Sequence, residues 1–204
     1  MSSELPDISP YLDQRREFFC KWFNNALSYQ EYLNESPQPH KDKWENSFNK
    51  LMLSKEQISL IKSFERRLNI LVLSGSWCGD CVRQGPMLEI ISRESNLFDL
   101  RFIDNRSSPE FGNELRINGA EKVPVAVFLS EDFLEIQRFG DRHLSVYRRL
   151  VSEDNVKSAG AYCDPGIIPS PETEIEEELG EWLETIERVQ HILYLSPLLK
   201  RRYR

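Results

Sequence analysis

The 204-residue sequence predicts an α/β protein with three layers around a central mixed sheet and helical extensions at both termini. Two observations carry that expectation. The apolar run Ile70-Leu71-Val72-Leu73 and the strand pattern Leu100-Arg101-Phe102-Ile103-Asp104 flank a segment, Val82 to Ser95, whose apolar residues recur at helical spacing. Strands joined through a helix pair in parallel. Further on, strand patterns at 124–130 and 133–139 are separated only by Ser130-Glu131-Asp132, which suits a hairpin and finishes the sheet with an antiparallel pair.

Taken in order, Ser9-Pro10 forms an N-cap and first-turn pair. Phe18, Trp22, Ala26, Tyr29 and Leu33 then recur at helical spacing, predicting one helix that Pro37 and Pro39 stop, followed by a loop through Trp44. Ser54-Lys55-Glu56-Gln57 reads as a capping box opening a helix with Ile58, Ile61 and Phe64 on one face. A strand at 68–74, a helix at 78–95, a strand at 99–104 and a short helix from Pro109 precede the hairpin, and a further helix starts at about 141. Tyr162-Cys163-Asp164-Pro165-Gly166 through Pro169 is a loop by its proline and glycine content. Ser170-Pro171-Glu172 caps a last helix, acidic in its first turns as the helix dipole prefers. Its stripe of Ile175, Leu179, Trp182, Ile186, Val189 and Leu193 is expected to pack on the protein's own core rather than on a partner. The run Glu174 to Glu178 reads as a solvated helix face, and Lys200-Arg201-Arg202-Tyr203-Arg204 as a solvated tail. The expected organisation is a helical extension at 1–63, a core at 64–152, and a C-terminal loop and helix at 153–204, all in one compact domain.

The chemistry concentrates in Trp77-Cys78-Gly79-Asp80-Cys81, where the first strand meets the following helix. The helix N–H groups and the positive end of the dipole favour a thiolate at Cys78, below the ordinary thiol value of about 8.5. Cys81 is near enough to resolve a mixed disulfide formed there. Half of a zinc site and an inert structural pair are the alternatives. Zinc needs four ligands, and Cys20, Cys163, His40, His143 and His191 do not pair at ligand spacing. Cys20, among Phe18, Phe19, Trp22 and Phe23, reads as a packed, inert thiol, while Cys163 in its loop has an open role. Asp141-Arg142-His143 reads as a helix start rather than a catalytic pair.

On these residues the chain resembles the thioredoxin family over about 64–152. Pro86 follows Cys81 by five residues, where the family has the proline that kinks its active-site helix. Lys122-Val123-Pro124-Val125-Ala126-Val127-Phe128 looks like the family's strand that begins with a cis-proline facing the disulfide. Gly140, sixteen residues after Pro124, falls where thioredoxins place a substrate-groove glycine. The resemblance implies that Cys78 is the nucleophile and Cys81 the resolving thiol, with Trp77, Gly79, Asp80, Val123, Pro124 and Gly140 receiving substrate. Two positions depart from the family. Asp80 replaces its common proline, and Val72 stands where it buries an aspartate that helps deprotonate the second thiol. No acid lies between Leu68 and Ser76, so help for Cys81 must come from elsewhere, with Asp80 one candidate. As a lone carboxylate about 7 Å from Cys78, Asp80 would oppose the thiolate by about 1 kcal/mol. That would make the couple more reducing by about 25 mV.

The formal charge of −7 argues against a nucleic-acid partner. No apolar run approaches the roughly 18 residues needed to span a bilayer, so no membrane role is expected. Met1-Ser2-Ser3-Glu4-Leu5-Pro6-Asp7 lacks the basic and apolar regions of a secretory signal, which makes the cytoplasm the expected setting. In a reducing compartment the dithiol is expected to act as a reductant of protein disulfides, needing no metal or organic cofactor. The expected partners are a disulfide-containing protein or small thiol and an electron-donating reductase, with the protein itself a monomer. A disulfide oxidase or isomerase, and a binding module whose dithiol only regulates association, remain as alternatives.

Overall fold

The sheet is built on β1 (Leu68–Ser74), whose apolar run Ile70–Leu73 is buried on both faces. A computed structural model describes residues 12–152 and 172–202 of the chain. β1 pairs in parallel with β2 (Phe98–Asp104), which places Val72 opposite Phe102. On its other side it runs antiparallel to β3 (Val125–Leu129), placing Val72 opposite Ala126. β3 turns through Ser130–Leu134 into β4 (Glu135–Gly140), giving the order β2-β1-β3-β4. This is the mixed sheet expected from the sequence. The continuous apolar run of β1 follows from helices lying on both faces.

One face carries Ile70, Val72, Leu100, Phe102, Ala126 and Phe128, because strand side chains alternate. Helices α2 (Tyr29–Glu35), α3 (Gln38–Phe48), α5 (Gly79–Arg93) and α8 (Glu172–Leu195) cover it. Tyr32 stacks on Phe102 with centroids 5.3 Å apart, Trp44 meets the same ring edge-on at 5.9 Å, and Trp182 packs on Phe128 at 6.2 Å. On the opposite face Leu73 looks towards Gly112 of α6 (Pro109–Glu114), and Phe111 of α6 stacks on Phe18 of α1 (Arg16–Asn24) at 5.9 Å. Helix α4 (Lys55–Lys62) opens with the expected Ser54–Gln57 capping box and buries Ile61. α7 (Leu144–Ser152) follows β4, with Asp141, Arg142 and His143 immediately before its first turn. α9 (Pro197–Arg202) ends the described chain. No helix among the described residues is long and apolar enough to cross a membrane.

Several expectations are corrected. The helix drawn through Phe18 to Leu33 is two helices, because Leu27 leaves the helical path to exchange backbone hydrogen bonds of 3.0 and 2.7 Å with Phe102 on the outer edge of β2. Ser28 and Glu31 then form a capping box that starts α2. The helix does end ahead of Pro37, with Ser36 already extended (ψ 150°), but Pro37 and Pro39 do more than stop it. They open α3, where a missing N–H costs nothing, so the expected loop through Trp44 is helical and Trp44 is fully buried. The acidic run is not all solvated, since Glu178 is fully buried. Lys200, Arg201 and Arg202 of the basic run are exposed, as expected, but helical: they end α9, whose Leu198 and Leu199 are buried, and Arg202 pairs with Asp132 at 2.7 Å. Cys20 is half-buried and accepts a weak hydrogen bond from Asn24 at 3.5 Å, so it is not sealed among the rings. The stripe on α8 does face the core, with Leu179, Trp182, Ile186, Val189 and Leu193 all buried. Ser9-Pro10, the loop with Cys163 and the Ser170-Pro171 cap lie outside the described residues.

Candidate active site

Cys78 is the N-cap residue of α5, in extended backbone (φ −79°, ψ 128°) at the point where β1 hands over to the helix. Its carbonyl accepts from the Val82 N–H at 2.9 Å and its own N–H donates to Gly75, also at 2.9 Å. Cys81 lies in the first turn, so one helical turn brings the two residues together. Both are thiols here and both are buried. The Cys78 thiol donates to the Val123 carbonyl at 3.7 Å, and the Cys81 sulfur accepts from the Gly75 N–H at 3.4 Å.

The Val123-Pro124 peptide is cis, as the sequence led us to expect. Gly140 pairs with Val125 across the β3–β4 ladder, and a Cβ built on it would lie 2.7 Å from the Pro124 carbonyl oxygen. Only a glycine lets β4 approach the proline loop this closely. Val123 and Pro124 are buried, while Trp77, Gly79 and Gly140 are half-buried around the pair of thiols. The Arg106 guanidinium lies 4.8 Å over the Trp77 ring and holds the indole at the rim by a cation–π contact.

Asp80 behaves differently from the lone carboxylate imagined above. One oxygen accepts from Arg83 at 2.9 Å and the other from Arg142 at 2.9 Å. Arg83 also binds the buried Glu178 at 2.9 Å, and Glu178 meets His143 Nδ1 at 3.2 Å. The run from the dithiol loop to α8 is thus a chain of paired charges in which every buried ion has a counterion. A second tie closes the proline loop. Lys122, beside Val123, pairs with Asp141 at 3.2 Å, and Tyr147 donates to the same carboxylate. Burial raises the Asp141 carboxyl, but Tyr147 and Lys122 outweigh it and hold it below the usual aspartate value. Burial and the facing Asp141 push the Tyr147 phenol up to about 12.

Behind the site, Trp44 Nε1 donates to the Ser76 carbonyl at 3.1 Å, and His40 Nδ1 meets the Ser76 hydroxyl at 3.0 Å. The N-terminal helices thereby grip the residue two before Cys78. Among the described residues, no three His, Cys, Asp or Glu side chains cluster as metal ligands would. The structure therefore brings Cys78, Cys81, Val123, Pro124 and Gly140 together, with Trp77 and Gly79 at the rim and Asp80 turned into an ion network. Sequence reasoning missed Arg83, Arg142 and Glu178. Only Arg83, three residues along the helix from Asp80, left a local trace.

Comparison with known proteins bears on the fold and the family. The structure is similar to a protein of unknown function from Pseudomonas aeruginosa, at 20% identity and a TM-score of 0.64, covering 83% of this chain and 97% of that one. It is equally similar to an HIV epitope-scaffold, at 19% identity and a TM-score of 0.64, covering 83% and 98%. At such identity these likenesses speak to the fold. No curated protein matches. A family profile described as Thioredoxin matches residues 26–154, taking in α2, α3 and α4 as well as the sheet. With the match spanning more than half of the sequence, the chain belongs to the thioredoxin family.

Proposed function

We propose that the protein is a thiol–disulfide oxidoreductase that reduces protein disulfides through Cys78 and Cys81. The observation that carries the reading is Cys78 at the head of α5 with its sulfur against the Val123 carbonyl, next to a cis-proline. The Cys78 thiolate attacks one sulfur of a target disulfide. A Cys78–target bond forms, the target bond breaks, and the second target sulfur leaves as a thiolate and takes up a proton. Cys81, as thiolate, then attacks the Cys78 sulfur, and the first target sulfur departs. Two electrons pass from the dithiol to the target, leaving a Cys78–Cys81 disulfide that an electron-donating reductase returns to the dithiol. In this reading Trp77, Gly79, Val123, Pro124 and Gly140 receive an extended substrate segment, and the setting is the reducing cytoplasm.

The test is reduction of a small disulfide by purified variants. Cys78→Ser abolishes turnover, and Cys81→Ser accumulates a mixed disulfide on Cys78 without turning over. Preferential alkylation of Cys81 in the reduced native protein would reverse the assignment. A redox potential in the oxidising range would favour an oxidase or isomerase instead.

The burial of both sulfurs favours a second reading, a binding module whose dithiol only regulates association. Partner binding that is indifferent to replacing both cysteines by serine identifies that case. Trapping targets from a cell extract with Cys81→Ser identifies the first.

A further inference from the structure

A resolving thiol must shed its proton in the interior, and β1 offers no carboxylate to help, since no acid occurs from Leu68 to Ser76. Two buried hydroxyls without a hydrogen-bond partner lie there instead. Ser74 ends β1 and is fully buried, and the next residue, Gly75, donates its N–H to the Cys81 sulfur at 3.4 Å. Tyr32 comes from α2, its ring fixed between Phe102 at 5.3 Å and Trp44 at 5.5 Å. Its hydroxyl is buried, lies beside that of Ser74 at a geometry short of a hydrogen bond, and has no other partner. The Ser74 hydroxyl is likewise without a partner. A buried hydroxyl with nothing to bond is costly, and two side by side next to a sulfur that must become an anion point to one purpose.

We propose that the Tyr32 and Ser74 hydroxyls are positioning groups for the resolving step, donating hydrogen bonds to the Cys81 thiolate as it forms. Burial holds the Tyr32 phenol well above its ordinary value, with the nearby Cys81 and Cys78 adding to the rise and Ser74 opposing it. The phenol therefore stays protonated and acts as a donor, never as a competing anion. Hydrogen bonds from neutral donors to a thiolate are charge-assisted and strong where water is excluded. The proton that Cys81 sheds ends on the departing target thiolate, so the overall balance of the exchange is unchanged. The inference rests on the exchange reading above, and it makes the N-terminal extension a contributor to the site rather than a cover for it.

The experiment is rapid mixing of excess reduced protein with a symmetric aromatic disulfide whose two halves are coloured thiolates once released. The first equivalent reports Cys78 attack and the second reports Cys81 attack. Tyr32→Phe, which keeps the ring stack, leaves the first release unchanged and slows the second by about tenfold, a barrier increase of about 1.4 kcal/mol. It also moves the pH midpoint of the second phase upward. Ser74→Ala does the same on β1 and reads the hydroxyl pair independently if Tyr32→Phe does not fold. The titratable groups facing this pocket, Cys78 on α5 and Asp104 at the end of β2, remain in both variants, so the shift reports the hydroxyls. Tyr29→Phe removes another buried, unpartnered hydroxyl of α2 as a packing control, and both of its phases match the wild type. An unchanged second phase and midpoint in the folded variants overturns the proposal, as does equal slowing of both phases. The exchange reading fails separately: in that case the wild-type protein itself releases no second equivalent, or Cys81→Ser releases both.

Discussion

Inside the Cys78–Cys81 loop the Asp80 carboxylate is held between Arg83 and Arg142, each at 2.9 Å, so the field reaching a thiolate is that of an ion triplet. Replacing Asp80 by asparagine removes the carboxylate that both guanidiniums bind, while Arg83 keeps its pair with the buried Glu178. We expect Asp80→Asn to lose about 2 kcal/mol of stability, read from the midpoint of urea unfolding. Loss of the carboxylate's negative charge then favours the Cys78 thiolate, which stabilises the reduced form and raises the potential by about 25 mV or more. Equilibration against a glutathione buffer measures it, and an unchanged or lower potential means that the triplet does not couple to the dithiol. Residues at this scale divide by sequence distance. Cys78, Cys81, Pro124 and Gly140 were legible because their chemistry is carried by short spacings and by residue types with few other uses. Arg142, 62 residues from Asp80, carried no trace, because a surface-type residue becomes an ion-pair partner only when the chain folds back. Tyr32 was invisible for the same reason, since it lies 49 residues before Cys81, whereas Ser74 stands only seven before it and was missed because a serine ending an apolar strand carries no chemistry of its own.

Helices α3 and α5 cross so closely that a Cβ on Gly85 would lie 2.1 Å from the Trp44 ring. A glycine inside a helix costs about 1 kcal/mol relative to alanine, so elsewhere Gly→Ala would stabilise. Here the sign reverses. Gly85→Ala pushes the indole off the helix, and we expect a loss of roughly 1–3 kcal/mol in a thermal or urea melt. The same variant loosens the Trp44 Nε1 bond to the Ser76 carbonyl, and so disturbs the loop ahead of Cys78. Elements with a strong local signature were read correctly from sequence, among them β1, the hairpin of β3 and β4, and the capped start of α4. The split between α1 and α2 was not, because apolar residues on either side of Leu27 happen to continue one helical period across the break. The marker for it, Ser28 three residues before Glu31, was present but outweighed by that period. Pro37 and Pro39 suit a helix start as well as a helix stop, and here they serve as both, closing α2 and opening α3. Glu178 is the harder case. Its burial depends on Arg83 and His143 from two other parts of the chain, so an acidic stretch on α8 gave no hint of it.

The core draws on almost the whole described chain, from Phe19 on α1 to Leu199 on α9. α8 alone buries Leu179, Trp182, Ile186, Val189 and Leu193, and each such side chain is worth about 2 kcal/mol. Together they match the net stability of an ordinary domain, about 5–15 kcal/mol. A chain ending before residue 172 is therefore expected to be molten or insoluble, and so is one lacking residues 1–50, which removes Trp44 and the rings around Phe102. A fragment covering 64–152 that melted as cooperatively as the full protein would assign both ends to partner recognition instead. The placement of α8 also has a consequence for biosynthesis. Phe128 and Phe139 are in place on the sheet long before Trp182, the ring that packs on both, has been made. A chain leaving the ribosome must carry that apolar face uncovered while the intervening residues are added, so the native packing of this face waits until α8 has been made.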